Sequence, residues 1–393
     1  MTGKVTSITE IRSAVLRSEE RVQATNRLIT TLLLVVAALI LIGIPATISA
    51  SSTIAYQQTA DRWYYLWRQL AGLGLGTVAL FVTSRISYQW YRRLAFPIFG
   101  VTVILLVAVL MVGKTAGGAT SWIDLGPVNF QPIEPAKFAV IIALSTALER
   151  KHRSLQDLGH FLAPIAVYVG VIAFLVLQQP DLGGVIIIGV ITLSLLMVSA
   201  APLRFVFGTA ALGAVGVLGL AQLTTERLSR ITSFLDPWAD PTGDGFQLIQ
   251  SYYALGTGGV FGTGLGTSRA RWFYLPNAHT DFIFAIIGEE TGLIGGLLVL
   301  ALFALLAAIG WMIASRARDA FGRMLAVGIT SWLVVQALVN VGGVLGVLPI
   351  TGVTLPFVSY GGTSLAATMA AVGVLVNVAG PGDRSRSRRV RSR

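Results

Sequence analysis

The sequence contains no cysteine and only three histidines among its 393 residues. Structural disulfides, thiolate metal sites and a cysteine nucleophile are therefore excluded, and a histidine-based metal centre has few ligands to draw on. Charged residues are also scarce, at 12% of the chain against about 25% in an ordinary soluble domain. Hydrophobic residues reach 54%, more than a soluble core of this length can hold, so we expect a lipid bilayer to surround much of the chain.

The net charge of +11 does not indicate nucleic-acid binding, because the basic residues are scattered among apolar runs and form no continuous binding face. Basic residues that flank apolar runs instead set the orientation of membrane helices. The first 27 residues are polar and contain no short apolar run followed by a small-residue cleavage site. We therefore expect no cleavable signal peptide, and a first helix that remains as an anchor.

A bilayer crossing needs roughly 20 mostly apolar residues, and ten segments predict such a helix. The fourth is short and charged, and the eighth is long enough to begin outside the lipid. The predicted spans are 28–49, 66–83, 94–113, 134–149, 160–177, 183–200, 203–221, 282–314, 321–345 and 363–380. The sequence thus predicts an all-α, polytopic membrane protein.

The basic residues also predict the orientation. With both termini in the cytoplasm, 21 of the 29 Lys and Arg residues fall in cytoplasmic segments, as the positive-inside rule requires. This divides the chain into a cytoplasmic segment 1–27, a transmembrane domain 28–380 and a basic cytoplasmic tail 381–393. The segment 222–281 becomes a large outer loop between the seventh and eighth spans, and a long loop on a rigid scaffold is a common place for function.

Two charged residues, Glu134 and Lys137, lie three residues apart at the start of the fourth span, where a helix would place them on one face. An ionisable residue at membrane depth costs several kcal/mol unless it is paired or hydrated, so it usually faces the interior of the bundle. The pair predicts either a functional site in a cavity or a structural ion pair that closes the end of a helix.

Asp281 follows His279 where the long outer loop enters the eighth span. A carboxylate at such a boundary can be partly desolvated, as suits a general base, but Asp is also favoured as a helix N-cap, and the spacing does not decide between these roles. Glu289 and Glu290 lie two turns further along and should face a cavity or bind a backbone amide. Asp181, after Pro180, predicts a helix cap.

Arginines on the outer side suit bidentate phosphate binding, although any of them could instead touch lipid headgroups. They are Arg62, Arg68, Arg227, Arg230, Arg269 and Arg271. The glycine-rich segment 256–266 superficially resembles a nucleotide-binding loop, but it lacks the strand–loop–helix context of such loops. We therefore do not predict nucleotide binding there.

From the first span to the last, the chain resembles the SEDS family (shape, elongation, division and sporulation), which includes FtsW, RodA and SpoVE. The motifs are Arg68-Gln69, WIDLGPVNFQPIEPAKF (122–138), QQPDLG (178–183), SFLDPWADPTGDGFQ (233–247), QSYYALGTGGVFGTGLG (250–266), LPNAHTDFIFAIIGEETGLIG (275–295) and NVGGVLGVLPITGVTLPFVSYGGTSL (340–365). Together they are highly specific. The GEETGLIG and LPITGVTLPFVSYGGTSL runs look closer to FtsW than to RodA.

The resemblance implies a ten-helix peptidoglycan glycosyltransferase that joins disaccharide-pentapeptide units from lipid II on the outer face of the cytoplasmic membrane. Asp281 matches the family's essential aspartate, and Glu134 and Lys137 match its acidic and basic pair. The remaining candidates for binding the substrate or its diphosphate, or for supporting the cavity, are Arg68, Arg227, Arg230, Arg271, His279 and Glu289. A divalent metal such as Mg²⁺ could help to stabilise the diphosphate, but no cofactor is certain.

The implied partners are lipid II, a class B penicillin-binding protein that acts as transpeptidase, and other division proteins at the septum. The chain departs from the family pattern at Ser121, Ile133 and Pro135, where the family usually has Arg, Ser and Leu. A RodA-like polymerase for cell elongation, a lipid II flippase and a scaffold for division proteins remain alternatives. A flippase would need polar groups along a path to the cytoplasmic side, and a scaffold would not need Asp281.

Overall fold

The computed structural model describes residues 8–116, 119–124, 129–151, 154–221, 229, 232–269 and 275–380. The α-helices with both ends inside these ranges are α1 Ile8–Thr59, α2 Tyr64–Arg85, α3 Tyr88–Arg93, α4 Ala95–Val112, α5 Ile133–Arg150, α6 Leu158–Pro164, α7 Val171–Leu177, α8 Leu182–Val198, α9 Leu203–Ala221, α10 Phe246–Gly258, α11 Ile283–Ser315, α12 Ala320–Val344 and α13 Gly362–Ala379. Residues 232–235 are also helical. A π-helical segment, Ile165–Gly170, joins α6 to α7, and a 3₁₀ turn spans Pro237–Ala239.

The only strands among the described residues lie between α4 and α5. They are β1 Lys114–Ala116, β2 Ala119–Asp124 and β3 Asn129–Phe130, paired antiparallel in the order β1-β2-β3. Thr363 at the start of α13 donates a hydrogen bond to the carbonyl of Asn129, at 2.7 Å. This small sheet is therefore tied to the helical bundle.

Each of the ten predicted spans coincides with a helix or a continuous run of helices. By length and composition, seven helices among the described residues could cross a membrane, and α8 and α9 are apolar but shorter. The all-helical membrane fold is confirmed, whereas the number of ten crossings and the orientation remain predictions. Helix α1 extends well beyond the predicted span 28–49 at both ends.

Helix α5 lies at the centre of the protein. It packs against α4, α8, α12 and α13, and 14 of its 18 residues are buried. Its surroundings are therefore mostly protein rather than lipid, which explains how a helix with four charged residues can occupy this place.

Helix α2 runs alongside α13 at short range because small residues face each other. A Cβ added at Gly72 would lie 2.6 Å from the Cα of Gly362, so any side chain there would push the two helices apart. The close contact fixes the first turns of α2 beside the loop that precedes α13.

The predicted outer loop is partly helical, because α10 lies within it and packs against α11. The hydroxyl of Ser251 on α10 donates to the carbonyl of Val344 at the end of α12, at 2.7 Å. The loop is thus joined directly to the bundle.

Helix α11 is interrupted at Gly292, which has φ 68° and ψ −166°. The carbonyl of Gly259 accepts the backbone N–H of Leu293 at 2.9 Å. A Cβ at Gly292 would lie 2.4 Å from the backbone nitrogen of Gly262. Only glycine tolerates both this conformation and this contact. The glycine-rich segment 256–266 therefore packs against the backbone of α11 where the helix is interrupted.

Candidate active site

Asp281 lies on the short loop that leads into α11. The carbonyl of Asn277, whose φ is 54°, accepts the backbone N–H of Asp281 at 3.1 Å. The N-cap of α11 is Phe282, and no side chain caps this helix, so Asp281 does not occupy the capping position that was its alternative role. Its side chain is half-buried.

A second loop, 351–361, lies against the loop of Asp281. Ser359 Oγ donates to the carbonyl of Thr280 at 2.6 Å, and the backbone N–H of Tyr360 donates to the carbonyl of His279 at 3.0 Å. A Cβ added at Gly352, whose φ is 71°, would lie 3.7 Å from Oδ2 of Asp281. The two loops therefore meet at the carboxylate.

Gln69 on α2 holds the second loop from its other side. Its Nε2 donates to the carbonyl of Ser359 at 3.3 Å, and its Oε1 accepts the backbone N–H of Gly361 at 3.2 Å. Gln69 is only 2% exposed. The side-chain amide thus fixes the loop to the helix that also carries Arg68.

Glu134 and Lys137 form an ion pair on α5, with 2.8 Å between Nζ and Oε1 and both side chains buried. Lys137 Nζ also donates to Oε1 of Gln336 at 2.7 Å and lies 5.1 Å from the centre of the Trp332 ring. Oε2 of Glu134 has no hydrogen-bond partner among the described residues. Lys137 is therefore covered by protein, and its ammonium group binds Glu134 and Gln336.

His279 belongs to an aromatic cluster at the N-terminal end of α2. The centre of its ring lies 4.8 Å from that of Tyr65 and 5.6 Å from that of Tyr360. Burial lowers the pKa of His279 to about 4 and raises the pKa of Tyr360 to about 12. Both side chains are therefore neutral at pH 7.

Arg68 lies at the edge of this cluster and is half-buried. Its guanidinium carbon is 5.3 Å from the centre of the Tyr64 ring, and Nη1 donates to the Tyr64 hydroxyl. Its charge also acts on Tyr360, whose pKa it lowers against the larger effect of burial. Arg68 and His279, which lie far apart in the sequence, thus share one aromatic surface beside Asp281.

Glu289 and Glu290 each bind a backbone amide, as predicted, just beyond the glycine-rich segment 256–266. Oε1 of Glu289 accepts the backbone N–H of Arg269 at 2.8 Å, and its Oε2 accepts from the hydroxyl of Ser268. Oε1 of Glu290 accepts the N–H of Ser268 at 3.3 Å and also the hydroxyl of Ser49 on α1. These contacts give the two carboxylates a structural role at the break in α11.

The remaining candidates have separate positions. Asp181 caps α8 by accepting the N–H of Gly184 at 2.7 Å, which confirms its predicted role. Arg227, Arg230 and Arg271 lie outside the described residues. Within the described ranges, no group of three or more His, Asp or Glu side chains could hold a metal ion.

Sequence reasoning assigned no role to the amides of Gln69, Gln336 and Asn340, which the structure buries. Gln336 and Asn340 lie four residues apart in the apolar helix α12, so they share one face. That spacing of two uncharged polar residues is the signal that could have found them.

Comparison with known proteins gives consistent matches over most of the chain. The model of the FtsW/RodA/SpoVE family, described as cell cycle proteins, matches residues 29–382. The probable peptidoglycan glycosyltransferase FtsW of Trichlorobacter lovleyi is 42% identical over 349 residues, which cover 88% of this chain and 92% of that protein. Stage V sporulation protein E of Bacillus subtilis is 42% identical over 353 residues, covering 88% and 96%.

Solved structures show the same architecture. A chain from a structure on the coordination of polymerization and crosslinking by a peptidoglycan synthase complex matches with a TM-score of 0.72 and 33% identity, covering 88% of this chain and 96% of that one. The rod shape determining protein RodA of Thermus thermophilus matches with a TM-score of 0.66 and 31% identity, covering 88% and 95%.

Proposed function

The chain belongs to the FtsW/RodA/SpoVE family of cell cycle proteins, and on that premise we propose that it is a peptidoglycan glycosyltransferase. It polymerises the disaccharide-pentapeptide units of lipid II on the outer face of the cytoplasmic membrane, in septal synthesis during cell division. Similarity at about 40% identity to several proteins named probable peptidoglycan glycosyltransferase FtsW supports this proposal. The observation that carries it is the position of Asp281, a half-buried carboxylate where two mutually bound loops meet.

Asp281 is the general base in this proposal. Its carboxylate accepts the proton of the 4-hydroxyl of the acceptor sugar as that oxygen attacks the anomeric carbon of the donor. The bond from the anomeric carbon to the diphosphate breaks, undecaprenyl diphosphate leaves, and the α-linkage becomes β. General-base assistance of this kind contributes roughly 100- to 10,000-fold to the rate.

The charge that develops on the leaving diphosphate needs a cation nearby. Arg68 fits this role better than Lys137, because Arg68 is half-buried and its charge acts on Tyr360 of the second loop. The Lys137 side chain, in contrast, is only 3% exposed and bound to Glu134 and Gln336. Lys137 is therefore a supporting residue, and Glu134 holds it in place. No step is assigned to a metal.

The proposed partner is a class B penicillin-binding protein that crosslinks the new strands. The similarity to a chain of a peptidoglycan synthase complex supports such an assembly. Lipid II as substrate, other division proteins and a septal location complete the proposal. Stage V sporulation protein E is also 42% identical, so a role in sporulation or elongation is the alternative to septal synthesis.

The test is polymerisation of labelled lipid II by the purified full-length protein together with its penicillin-binding partner. Wild type should make glycan strands and Asp281→Asn none. Asp236→Asn is a matched control, since Asp236 caps the 3₁₀ turn in the outer loop and asparagine caps equally well. It should polymerise like wild type.

Two results would count against the proposal. Strand synthesis by Asp281→Asn at the wild-type rate would remove Asp281 as the base. A wild-type complex that makes no strands, yet moves labelled lipid II across a vesicle membrane, would instead support the flippase.

A further inference from the structure

Two buried side-chain amides, Gln336 and Asn340, lie one turn apart on the same face of α12. Gln336 is fully buried and Asn340 is 4% exposed. A buried amide without partners costs free energy, and both residues use their NH₂ groups on backbone carbonyls. Their hydrogen bonds connect parts of the site that lie far apart in the sequence.

Gln336 connects the ion pair to the second loop. Its Oε1 accepts from Lys137 Nζ at 2.7 Å and from the indole N–H of Trp332 at 2.8 Å. Its Nε2 donates to the carbonyl of Thr354 at 3.0 Å. Lys137 is thereby held at a fixed place relative to the loop.

Asn340 connects the same loop to Asp281. Its Nδ2 donates to the carbonyl of Asp281 at 2.8 Å and to the carbonyl of Val353 at 2.7 Å. Both protons of the NH₂ group are thus used. The contact holds Asp281 by its backbone rather than by its carboxylate.

Val353 and Thr354 are consecutive, so the two amides bind adjacent carbonyls of one loop from adjacent turns of one helix. The helix fixes the separation of Gln336 and Asn340 at about 6 Å along its axis. The loop fixes the separation of their acceptors. The position of the Lys137–Glu134 pair relative to Asp281 is therefore set by the spacing of the two amides on the helix and by the spacing of their acceptors on the loop.

We propose that Gln336 and Asn340 are positioning residues that hold Asp281 in register with the Lys137–Glu134 pair during glycosyl transfer. This inference rests on the proposed function. Neither amide touches the reacting atoms. Each acts through the group that it holds, and a displacement of about 1 Å at a catalytic group can lower a rate by about 100-fold.

Isosteric substitutions separate this role from simple packing. Asn340→Asp keeps the shape of the side chain but replaces the donor to two carbonyls with a carboxylate. Gln336→Glu keeps an acceptor for Lys137 and Trp332 but loses the donor to Thr354. Leu338→Ala is the control, because Leu338 lies on the same helix with 55% of its surface exposed.

The measurement is the steady-state rate of strand synthesis against lipid II concentration, with the full chain and its partner. Asn340→Asp should lower kcat by about 100-fold, with KM little changed, because positioning acts in the transition state. Gln336→Glu should also lower kcat, and Leu338→Ala should match wild type. Because both amides set one register, the double variant should lose less than the product of the single effects.

Thermal unfolding of each variant in detergent checks that the fold is kept, and Gln336→Glu provides the test if Asn340→Asp is misfolded. Wild-type kcat in both folded variants would overturn the positioning role, as would a raised KM with kcat unchanged. Those results would leave the polymerase proposal intact. Failure of the wild-type complex to make strands would overturn the proposed function itself.

Discussion

Lys137 lies one helical turn from Glu134 at the centre of the protein, with 2.8 Å between its Nζ and Oε1 of the carboxylate. Their side chains are 3% and 5% exposed. Removing one member of such a pair leaves a charge buried without compensation, and this is more destabilising than removing both. The stability of the folded protein should therefore depend on keeping both charges of this ion pair.

Lys137→Met should lower the free energy of unfolding by about 3–5 kcal/mol, because Glu134 would lose its counter-charge. The double variant Glu134→Gln/Lys137→Met should lose less. Lys114→Met is the control, since Lys114 pairs with Asp124 on the surface of the small sheet and exposed pairs contribute about 1 kcal/mol or less. The free energies of unfolding can be measured by steric trapping in bicelles. A loss for Lys137→Met no larger than that for the double variant or for Lys114→Met would contradict this prediction.

Gly292→Ala should be among the most destabilising glycine substitutions. An alanine there must adopt φ 68° and place its Cβ 2.4 Å from the backbone nitrogen of Gly262. Strain of this kind costs about 1–3 kcal/mol before the steric clash is added. Gly74→Ala in α2, with no atom within 4 Å of the new Cβ, is the control and should change stability by about 1 kcal/mol at most.

The stability of wild type should fall relative to His279→Gln as the pH is lowered from 6.5 to 4. Burial lowers the pKa of His279 from 6.5 to about 4, so the unfolded chain binds this proton more readily than the folded protein. Above pH 6.5 this group does not reduce the free energy of unfolding. As the pH falls through this window, protonation of the unfolded chain lowers that free energy by at most about 3 kcal/mol. Unfolding curves for wild type and variant that remain parallel across the window would contradict a lowered pKa for the buried imidazole.

Arg68→Ala should lower kcat/KM for lipid II by about 10- to 100-fold, since a hydrogen bond to a charged group contributes about 1.5–3 kcal/mol. Arg68→Lys should recover part of the loss, because lysine keeps the charge without the planar fork. Tyr64→Phe keeps the ring under the guanidinium and removes only the hydroxyl that accepts from Arg68. If Tyr64→Phe impaired synthesis more than Arg68→Ala, the guanidinium could not be the important group.

Glu289→Ala should loosen the segment 263–269, because the N–H of Arg269 and the hydroxyl of Ser268 would lose their acceptors. Limited trypsin digestion should then cleave after Arg269 faster than in wild type. Hydrogen exchange should also rise across 263–269. Glu289→Gln retains an acceptor oxygen and should show a smaller increase, and equal protection in all three proteins would rule out this anchoring role.

The length of the apolar runs predicted the helices well, since every predicted span falls on helical structure. Hydropathy reports contact with lipid, however, and not where a helix ends. It therefore missed the continuation of α1 to Thr59 and made α5 the least secure span. The strands β1–β3 and the helix α10 lie in loops where no hydropathy pattern distinguishes them.

The candidate site was predictable where charge is unusual. Glu134 and Lys137 stand out in an apolar span, and the structure confirms that they pair. The role of Asp281 is still a proposal, though the structure removes its alternative as N-cap. The spacing of Gln336 and Asn340 could have shown that they share a face of one helix, but not what they bind, because only the folded loop supplies their carbonyl partners.

The central burial of α5 has a consequence for biogenesis. Gln336, which binds Lys137, is translated 199 residues after it, and α8, α12 and α13, which cover much of α5, all follow it in the chain. The nascent α5 thus emerges from the ribosome long before its protein environment exists. Until the last helices arrive, Glu134 and Lys137 have only each other and water as partners, because their pair lies within α5 itself. The closure of the protein around α5 is therefore a late step of assembly in the membrane.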